Sequence, residues 1–371
     1  MLLLATSEQA RRMRDLAKER ASELERLAEA ALKAGPWSVT NHRPAGLGVN
    51  AGPNDYYSEG PYWWPDPKNP KGPYIRKDGE RNPERFMGNR SDLGRLCEAT
   101  LALGFGAYLF GKTACVEHAA KVLTTWFLDP KTRMNPNLEY GQAVRGHNTG
   151  RGTGIIDTAS LIHVAQGVTL LEAANGGLDT SIASGMRRWF ADYLNWMSTS
   201  KKGLDEKMAT NNHATWWTAQ AAAYATFTDN ATARKMCWDH FRTHLIKQIE
   251  PDGSCPREEE RTQSLSYSSM NLDAFSVVCR LAELDGVDLW HFAGPKKVGV
   301  VNAFRYLTPF LVDQSVWKKP QITKYDPKGH FFPGLAGASL HDAQLLGAYR
   351  KLPHAESPWP QFMNLLVEAA V

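Results

Sequence analysis

The sequence predicts an all-α fold, a ring of antiparallel helical hairpins with a cleft at one end, and three observations predict it. Segments of helical period follow one another from about Ser91 onward. Their separators carry Gly, Pro, Asn and Asp, the residues that stop helices and make turns. No run of period-two alternation lies between them, which leaves room only for short strands in the loops. Many helices of moderate length joined by short loops pack most naturally as antiparallel hairpins that close into a ring.

Taken in order, residues 7–34 read as one amphipathic helix, with Leu16, Ala17, Leu24, Leu27, Ala28 and Leu32 at helical spacing among Arg, Lys and Glu. Residues 36–90 are crowded with Pro, Gly, Asn and aromatics and hold no lasting apolar period. Loops of that length inside a domain are functional or disordered. Tyr56, Tyr57, Tyr62, Trp63, Trp64 and Tyr74 argue for order, because such rings are costly to leave in water. The segment is therefore expected to form a lid or cleft wall. Helices are predicted at 91–110, 113–127, 157–174, 180–199, 212–228, 231–249, 269–285, 297–312, 336–350 and 357–369.

The 371 residues are 43% hydrophobic and 22% charged, the balance of an ordinary globular chain with a sizeable core. No Gly/Ser- or Pro-rich linker divides them, so one domain over 1–371 is expected. A net charge of +4 is too mild for the basic face that binds nucleic acid, yet compatible with a polyanion in a local groove. Cys97, Cys115, Cys237, Cys255 and Cys279 form no CxxC pair and no zinc-like cluster, so no metal site is expected; one disulfide is compatible with life outside the cytoplasm. The apolar run at Met1–Leu4 is too short for a signal segment or a membrane span. Either the protein is cytoplasmic or this is the mature form.

Four segments carry chemistry. Asn211, Asn212, His213, Trp216 and Trp217 sit at a helix start; one asparagine suffices as N-cap, so the remaining polar groups are expected to face a ligand. Pro256 to Tyr267 is a Glu/Arg run that on its own reads as a solvated face. Tyr267 following Arg261 lifts it, because a guanidinium near a phenol favours phenolate. The glycine-rich stretch Gly146–Asp157 lacks both GK[ST] and a preceding strand, so it is no phosphate loop. Its glycines permit tight turns beside a cleft, with Arg151 or Arg145 at hand for a carboxylate. The lid, with Asp55–Pro67 and Pro73–Gly79, mixes rings with Arg76 and Lys77 and suits a sugar-acid polymer, since pyranose faces stack on aromatics while cations pair with carboxylates.

In this order PYWWPDP with PYIRKDG, GRGTGIIDT, NNHATWW and ERTQSLSY resemble the alginate-lyase family of polysaccharide lyases, over roughly Tyr56 to Leu272. The resemblance implies an α/α toroid, an incomplete α/α barrel, and a lyase that cuts alginate or glucuronan. It implies that Asn212 and His213 are the family's adjacent Asn-His pair, Tyr267 the catalytic tyrosine and Arg261, or else Arg257, the active-site arginine. Tyr56, Tyr57, Tyr62, Trp63, Trp64, Arg76, Arg145, His147, Arg151, Asn211 and Trp216 are the expected substrate contacts. A periplasmic or secreted monomer, acting on an acidic polysaccharide without metal, cofactor, nucleic acid or membrane, completes the expectation.

β-Elimination must remove a weakly acidic C5 proton beside a carboxylate. Asn212, His213 and an arginine would neutralise that carboxylate by oxyanion-hole logic. In mannuronate and glucuronate the proton and the O4 leaving group share a face, so Tyr267 can serve as base and then acid; in guluronate they oppose, and His213 is the better base with Tyr267 as acid. Two rivals stand beside the lyase. An inverting glycoside hydrolase would draw on Glu258, Glu259, Glu260, Asp157 or Asp66. A non-catalytic polyuronate binder would use the lid alone.

Overall fold

The structure, a computed structural model, describes residues 2–44 and 51–371; positions 45–50 of the expected lid, and Met1, lie outside the described residues. The expected first helix is two, α1 (Ser7–Glu19) and α2 (Ala21–Leu32). Arg20 breaks it with φ −119° and ψ 21°. Thr6 opens α1 through a capping box with Gln9, each side chain accepting the other's backbone N–H.

α3 (Gly88–Phe110) and α4 (Thr113–Leu123) make the next hairpin, turned by Gly111 in the left-handed region at φ 67°. The chain then runs through α5 (Leu161–Ala173), α6 (Thr180–Thr199), α7 (Lys201–Lys207), α8 (Asn212–Phe227) and α9 (Ala231–Thr243). It ends with α10 (Pro256–Glu259), α11 (Ser264–Leu284), α12 (Val300–Val312), α13 (Phe332–Leu340), α14 (Ala343–Tyr349) and α15 (Pro358–Ala370).

Helices α3, α5, α8, α11, α13 and α15 pack side by side in that order, and α15 returns against α3, so the ring closes. Helices α4, α6, α9, α12 and α14 lie against them as an outer layer. Burial follows the layers. α8 is buried on nearly every side, with Ala219, Ala221, Ala222, Ala223 and Ala225 allowing close approach, whereas α9 buries only a stripe of Cys237, Trp238, His240 and Phe241. This two-layered ring is the α/α toroid of the sequence reading.

The expected 269–285 helix begins at Ser264, so Tyr267 lies within α11, its N–H donating to Gln263 O at 3.0 Å. The expected 336–350 helix splits into α13 and α14 at His341, φ 53°. Its expected neighbours at 113–127 and 231–249 likewise end in a π turn, Thr124–Leu128, and a 3-10 turn, Leu245–Gln248.

The lid is held by two small ribbons. β1 (Tyr57–Glu59) pairs in parallel with β4 (Tyr140–Ala143), and β2 (Trp63–Trp64) pairs antiparallel with β3 (Ile75–Arg76). The apolar start is core: Leu2, Leu3 and Leu4 are buried, and the Leu3 and Leu4 N–H groups donate to Thr169 and Gln166 of α5. Gly152–Ala173 is long and apolar enough to cross a membrane by composition, but most of it is buried inside the ring. All five cysteines are buried and unbridged.

Candidate active site

A cleft with a cavity volume of about 530 Å³ opens where the N-terminal ends of α3, α8 and α11 meet the lid. Helix N-termini carry unpaired N–H groups and partial positive charge, so the scaffold itself favours an anion there. Six arginines line the cleft, Arg76, Arg81, Arg85, Arg90, Arg151 and Arg261, against the carboxylates of Glu59 and Asp157. Burial, with Arg81 and Arg90 close by, lowers the proton affinity of Arg85. The basic groove is therefore far more concentrated than the net charge of +4 conveys.

Asn211 caps α8, its Oδ1 accepting from the His213 N–H at 3.3 Å, and it also borders the cleft. The capping reading is therefore right for this one asparagine. Asn212 and His213 occupy the first turn, and each is held by a different buried carboxylate. Glu258 accepts the Asn212 backbone N–H at 2.5 Å and its side-chain Nδ2 at 2.9 and 2.8 Å. Glu206 of α7 sits 2.5 Å from His213 Nδ1. A carboxylate only accepts, so Nδ1 carries the hydrogen and Nε2 is the nitrogen left for a ligand. Trp216, one turn on, lines the same wall, and its buried indole N–H has no partner among the described residues.

Opposite stands Tyr267, whose hydroxyl donates to Tyr62 of the lid at 2.5 Å. The Arg261 guanidinium lies 3.9 Å from the centre of the Tyr267 ring. It is also clamped by lid residue Asp78, Nε to Oδ2 at 3.0 Å and a terminal nitrogen to Oδ1 at 2.7 Å. Arg261 does pull the phenol down, as expected, but it is outweighed. Burial and the adjoining Tyr62 push Tyr267 above its ordinary value, and Arg261, partly neutralised by Asp78, opposes them without prevailing. Arg257 is exposed on α10 and lies outside the cleft lining, so of the two arginines it is Arg261 that the fold brings to Tyr267.

The cleft gathers Tyr62, Trp63, Arg76, Arg151, Asn211, Asn212, His213, Trp216, Arg261 and Tyr267 from the sequence-derived set. Five others lie elsewhere. Tyr56 is 1% exposed, its hydroxyl donating to Asp157 at 3.2 Å beneath the cleft floor. Tyr57 is buried against Phe86 and donates to Glu59. Tyr56 precedes β1 and Tyr57 opens it, so their side chains leave the backbone on opposite sides, one toward Asp157 and the other toward Phe86 and Glu59. Arg145 pairs with Glu59 at 3.3 Å on the outer surface, and His147 bonds Tyr74 O at 2.8 Å while its ring braces Trp63 from outside at 4.8 Å. Trp64 turns away from Trp63, as neighbours on a strand must, into an adjoining groove with Arg81, Gln263 and Ile322.

Sequence reasoning missed Arg81, Arg85, Arg90, Gln142 and Glu206. The arginines recur at short spacing in ERNPERFMGNR, a readable signal. Gln142 gives none: it holds φ 49° in β4, donates to Asp157 at 2.9 Å and accepts from Arg151 at 2.8 Å, so an uncommon backbone conformation orients a cleft arginine. The glycine reading holds at Gly150 and Gly154, where a Cβ would fall 2.0 Å from Glu139 O and 2.6 Å from the Gly141 backbone. Bare backbones touch there and deliver Arg151 to the cleft.

A family model described as alginate lyase matches residues 42–317. The structure is similar to an alginate lyase from Bacteroides ovatus, with TM-score 0.89 and 32% identity over 99% of this chain and 98% of that one. It shares its fold with alginate lyase A1-III from Sphingomonas species A1, with TM-score 0.55 and 16% identity over 93% and 94%. No curated protein matches the chain. By the family match over most of its length and the close likeness to the Bacteroides enzyme, this chain belongs to the alginate lyase family.

Proposed function

We propose that this polysaccharide lyase cuts alginate by β-elimination at the cleft between α8 and α11, leaving a 4,5-unsaturated uronate at the new end. The observation that carries this reading is the convergence of Asn212, His213, Arg261 and Tyr267, from two separate parts of the chain, on one arginine-lined cavity. In it, Asn212 and His213 receive the carboxylate beside the reacting carbon, with Arg261 near, and stabilise the charge that builds there. Tyr267 moves the protons. Its raised proton affinity suits a phenol that gives a proton to the leaving O4. Its role as base requires that its hydroxyl proton leave for solvent first, either directly or by a relay in which Tyr62 releases its own hydroxyl proton to solvent as it takes this one. His213, with Glu206 behind it, is placed to act as base where proton and leaving group lie on opposite faces. Glucuronan, whose stereochemistry at C5 and C4 matches the mannuronate case, is a second substrate this arrangement admits. A polymer of this kind does not cross a membrane unaided, which favours action in the periplasm or outside the cell.

The hydrolase alternative needs two available carboxyl groups facing each other across the cleft. Glu59 and Asp157, the carboxylates lining it, are already engaged. Asp157 is bonded to Arg90 at 2.6 Å, Ser58 at 2.6 Å and Gln142; Glu59 accepts from the Phe86 N–H at 2.7 Å. Glu258 is wholly buried on Asn212, and Glu259 is buried against Lys319.

The deciding measurement is ultraviolet absorbance during incubation with polymannuronate, polyguluronate, glucuronan and a neutral glucan, since only elimination creates the conjugated double bond. The expected result is a rise with a polyuronate and none with the glucan, and in Tyr267→Phe a loss of roughly 10²–10⁴-fold with binding retained. New reducing ends without the absorbance would refute elimination.

A further inference from the structure

We propose that Glu258 is a positioning residue that decides which end of the Asn212 amide faces the cleft, so that seating a substrate carboxylate draws one proton into the pair from solvent. The inference rests on the lyase reading, in which Asn212 meets that carboxylate. Both Glu258 oxygens accept from Asn212 Nδ2, at 2.9 and 2.8 Å, and one also accepts the Asn212 backbone N–H. The donor end of the amide is thus spent on Glu258. Asn212 Oδ1 is left buried without a partner among the described residues, in a side chain that borders the cleft. An amide oxygen cannot hydrogen-bond a carboxylate, because both only accept. In this arrangement Asn212 faces its expected ligand with the wrong end.

Turning the amide over supplies the donor but sets Oδ1 against Glu258, acceptor against acceptor, unless Glu258 carries a proton. Protonated, Glu258 donates its O–H to Asn212 Oδ1 and keeps the backbone N–H on its other oxygen, while Nδ2 donates to the substrate. Charge balances: one substrate carboxylate enters, one proton enters from water, and no unpaired anion is added to a buried site. Glu258 is suited to the exchange. It is 0% exposed, and burial raises its proton affinity, although the two Asn212 bonds, Arg261 from the turn before α11 and His213 from α8 oppose it. Those two groups are themselves matched, Arg261 by Asp78 and His213 by Glu206. On its own helix the neighbours are the Cys255 thiol and Glu259, the latter paired with Lys319.

The test uses the Tyr267→Phe protein, which holds substrate without turning it over, and a mannuronate tetramer. Titration calorimetry in buffers of different ionisation heat reads the protons exchanged. The expected result is uptake of about one proton per tetramer bound with Glu258 intact, and none after adding Glu258→Gln, whose new amide can donate to Oδ1 without a proton. In the otherwise native enzyme, KM should rise with pH by up to about tenfold per unit above the proton affinity of Glu258, and Glu258→Gln should flatten that rise. Tetramer binding with no proton uptake while Glu258 is intact would overturn the proposal, as would equal uptake with and without Glu258. The first of these readings stands even if the double variant does not fold. Absence of any uronate binding would instead remove the lyase reading, and this proposal with it.

Discussion

Asn212 and His213 are adjacent in sequence, yet the fold gives each its own buried carboxylate, and that division separates their expected contributions. Glu206 fixes the His213 tautomer and stabilises the imidazolium that forms if His213 takes a proton. Glu206→Gln keeps a hydrogen-bonding group at Nδ1 and removes the charge. Turnover on polyguluronate, where His213 is the proposed base, should fall by about 10- to 100-fold or more, and turnover on polymannuronate, where Tyr267 handles both protons, should fall much less. Equal losses on the two polymers would show that His213 does not take the proton. Residues at this scale were legible where several rare types cluster at a helix start, as at Asn211–Trp217. The inward or outward turn of a lid ring was not legible. Tyr56 and Tyr62 have the same composition around them, yet the first is buried on Asp157 and the second lines the cleft against Tyr267, a difference set by tertiary partners. Arg261 acts on Tyr267 in the expected direction, but burial and the contact with Tyr62, 205 residues away in sequence, outweigh it, and neither is legible in the sequence.

The lid is the element that joins these residues, and Asp78 is its main tether. Beyond Arg261, it accepts the Thr262 hydroxyl, and Gln263 donates to Gly79 O at 2.6 Å. Burial opposes ionisation of Asp78, but the hydrogen bonds and charge of Arg261, with Arg76, outweigh it and hold the carboxyl down to about 2. A carboxyl depressed in the folded state contributes stability above its unfolded value near 4 and loses it as pH falls. Lid docking should therefore weaken between about pH 4 and pH 2, seen as faster proteolysis within 51–87 before the helices melt. Asp78→Asn should act on the chemistry in the opposite direction. Without its neutralising partner Arg261 favours the Tyr267 phenolate more strongly, so the rising limb of kcat against pH should move to lower pH; a limb that stays in place would mean Tyr267 does not ionise in the slow step. α8 offers a separate check, since Asn211→Ala removes its cap and should cost about 1 kcal/mol by thermal or denaturant unfolding. Long periodic helices were legible in the sequence. α7 and α10 were not, because seven and four residues are too few to show a period, and Arg20 and His341 break helices whose apolar pattern runs straight through them.

Across the whole molecule the distribution of charge matters more than its sum. A net charge of +4 over 371 residues exerts little pull on a polyanion at physiological salt, where fields decay within about 8 Å. The cleft inverts that expectation by collecting six arginines around one cavity, two of them, Arg81 and Arg85, in the lid stretch between β3 and α3. Arg81 also borders the adjoining groove beside Trp64, where it stands next to Glu80, so this one guanidinium reaches from the cleft into a second groove that a longer chain could enter. A polyuronate carries one carboxylate per sugar and meets all of this field, whereas a trimer meets only the part around Tyr267. KM for the polymer should therefore rise several-fold between 50 and 500 mM salt with kcat nearly constant, and KM for a trimer should rise less. Arg81→Ala should reduce the polymer's salt dependence and leave the trimer's unchanged. Should polymer and trimer respond to salt alike in the native enzyme, the groove beyond Arg81 would lie off the substrate's path, and the cleft between α8 and α11 would by itself hold all the sugars that matter.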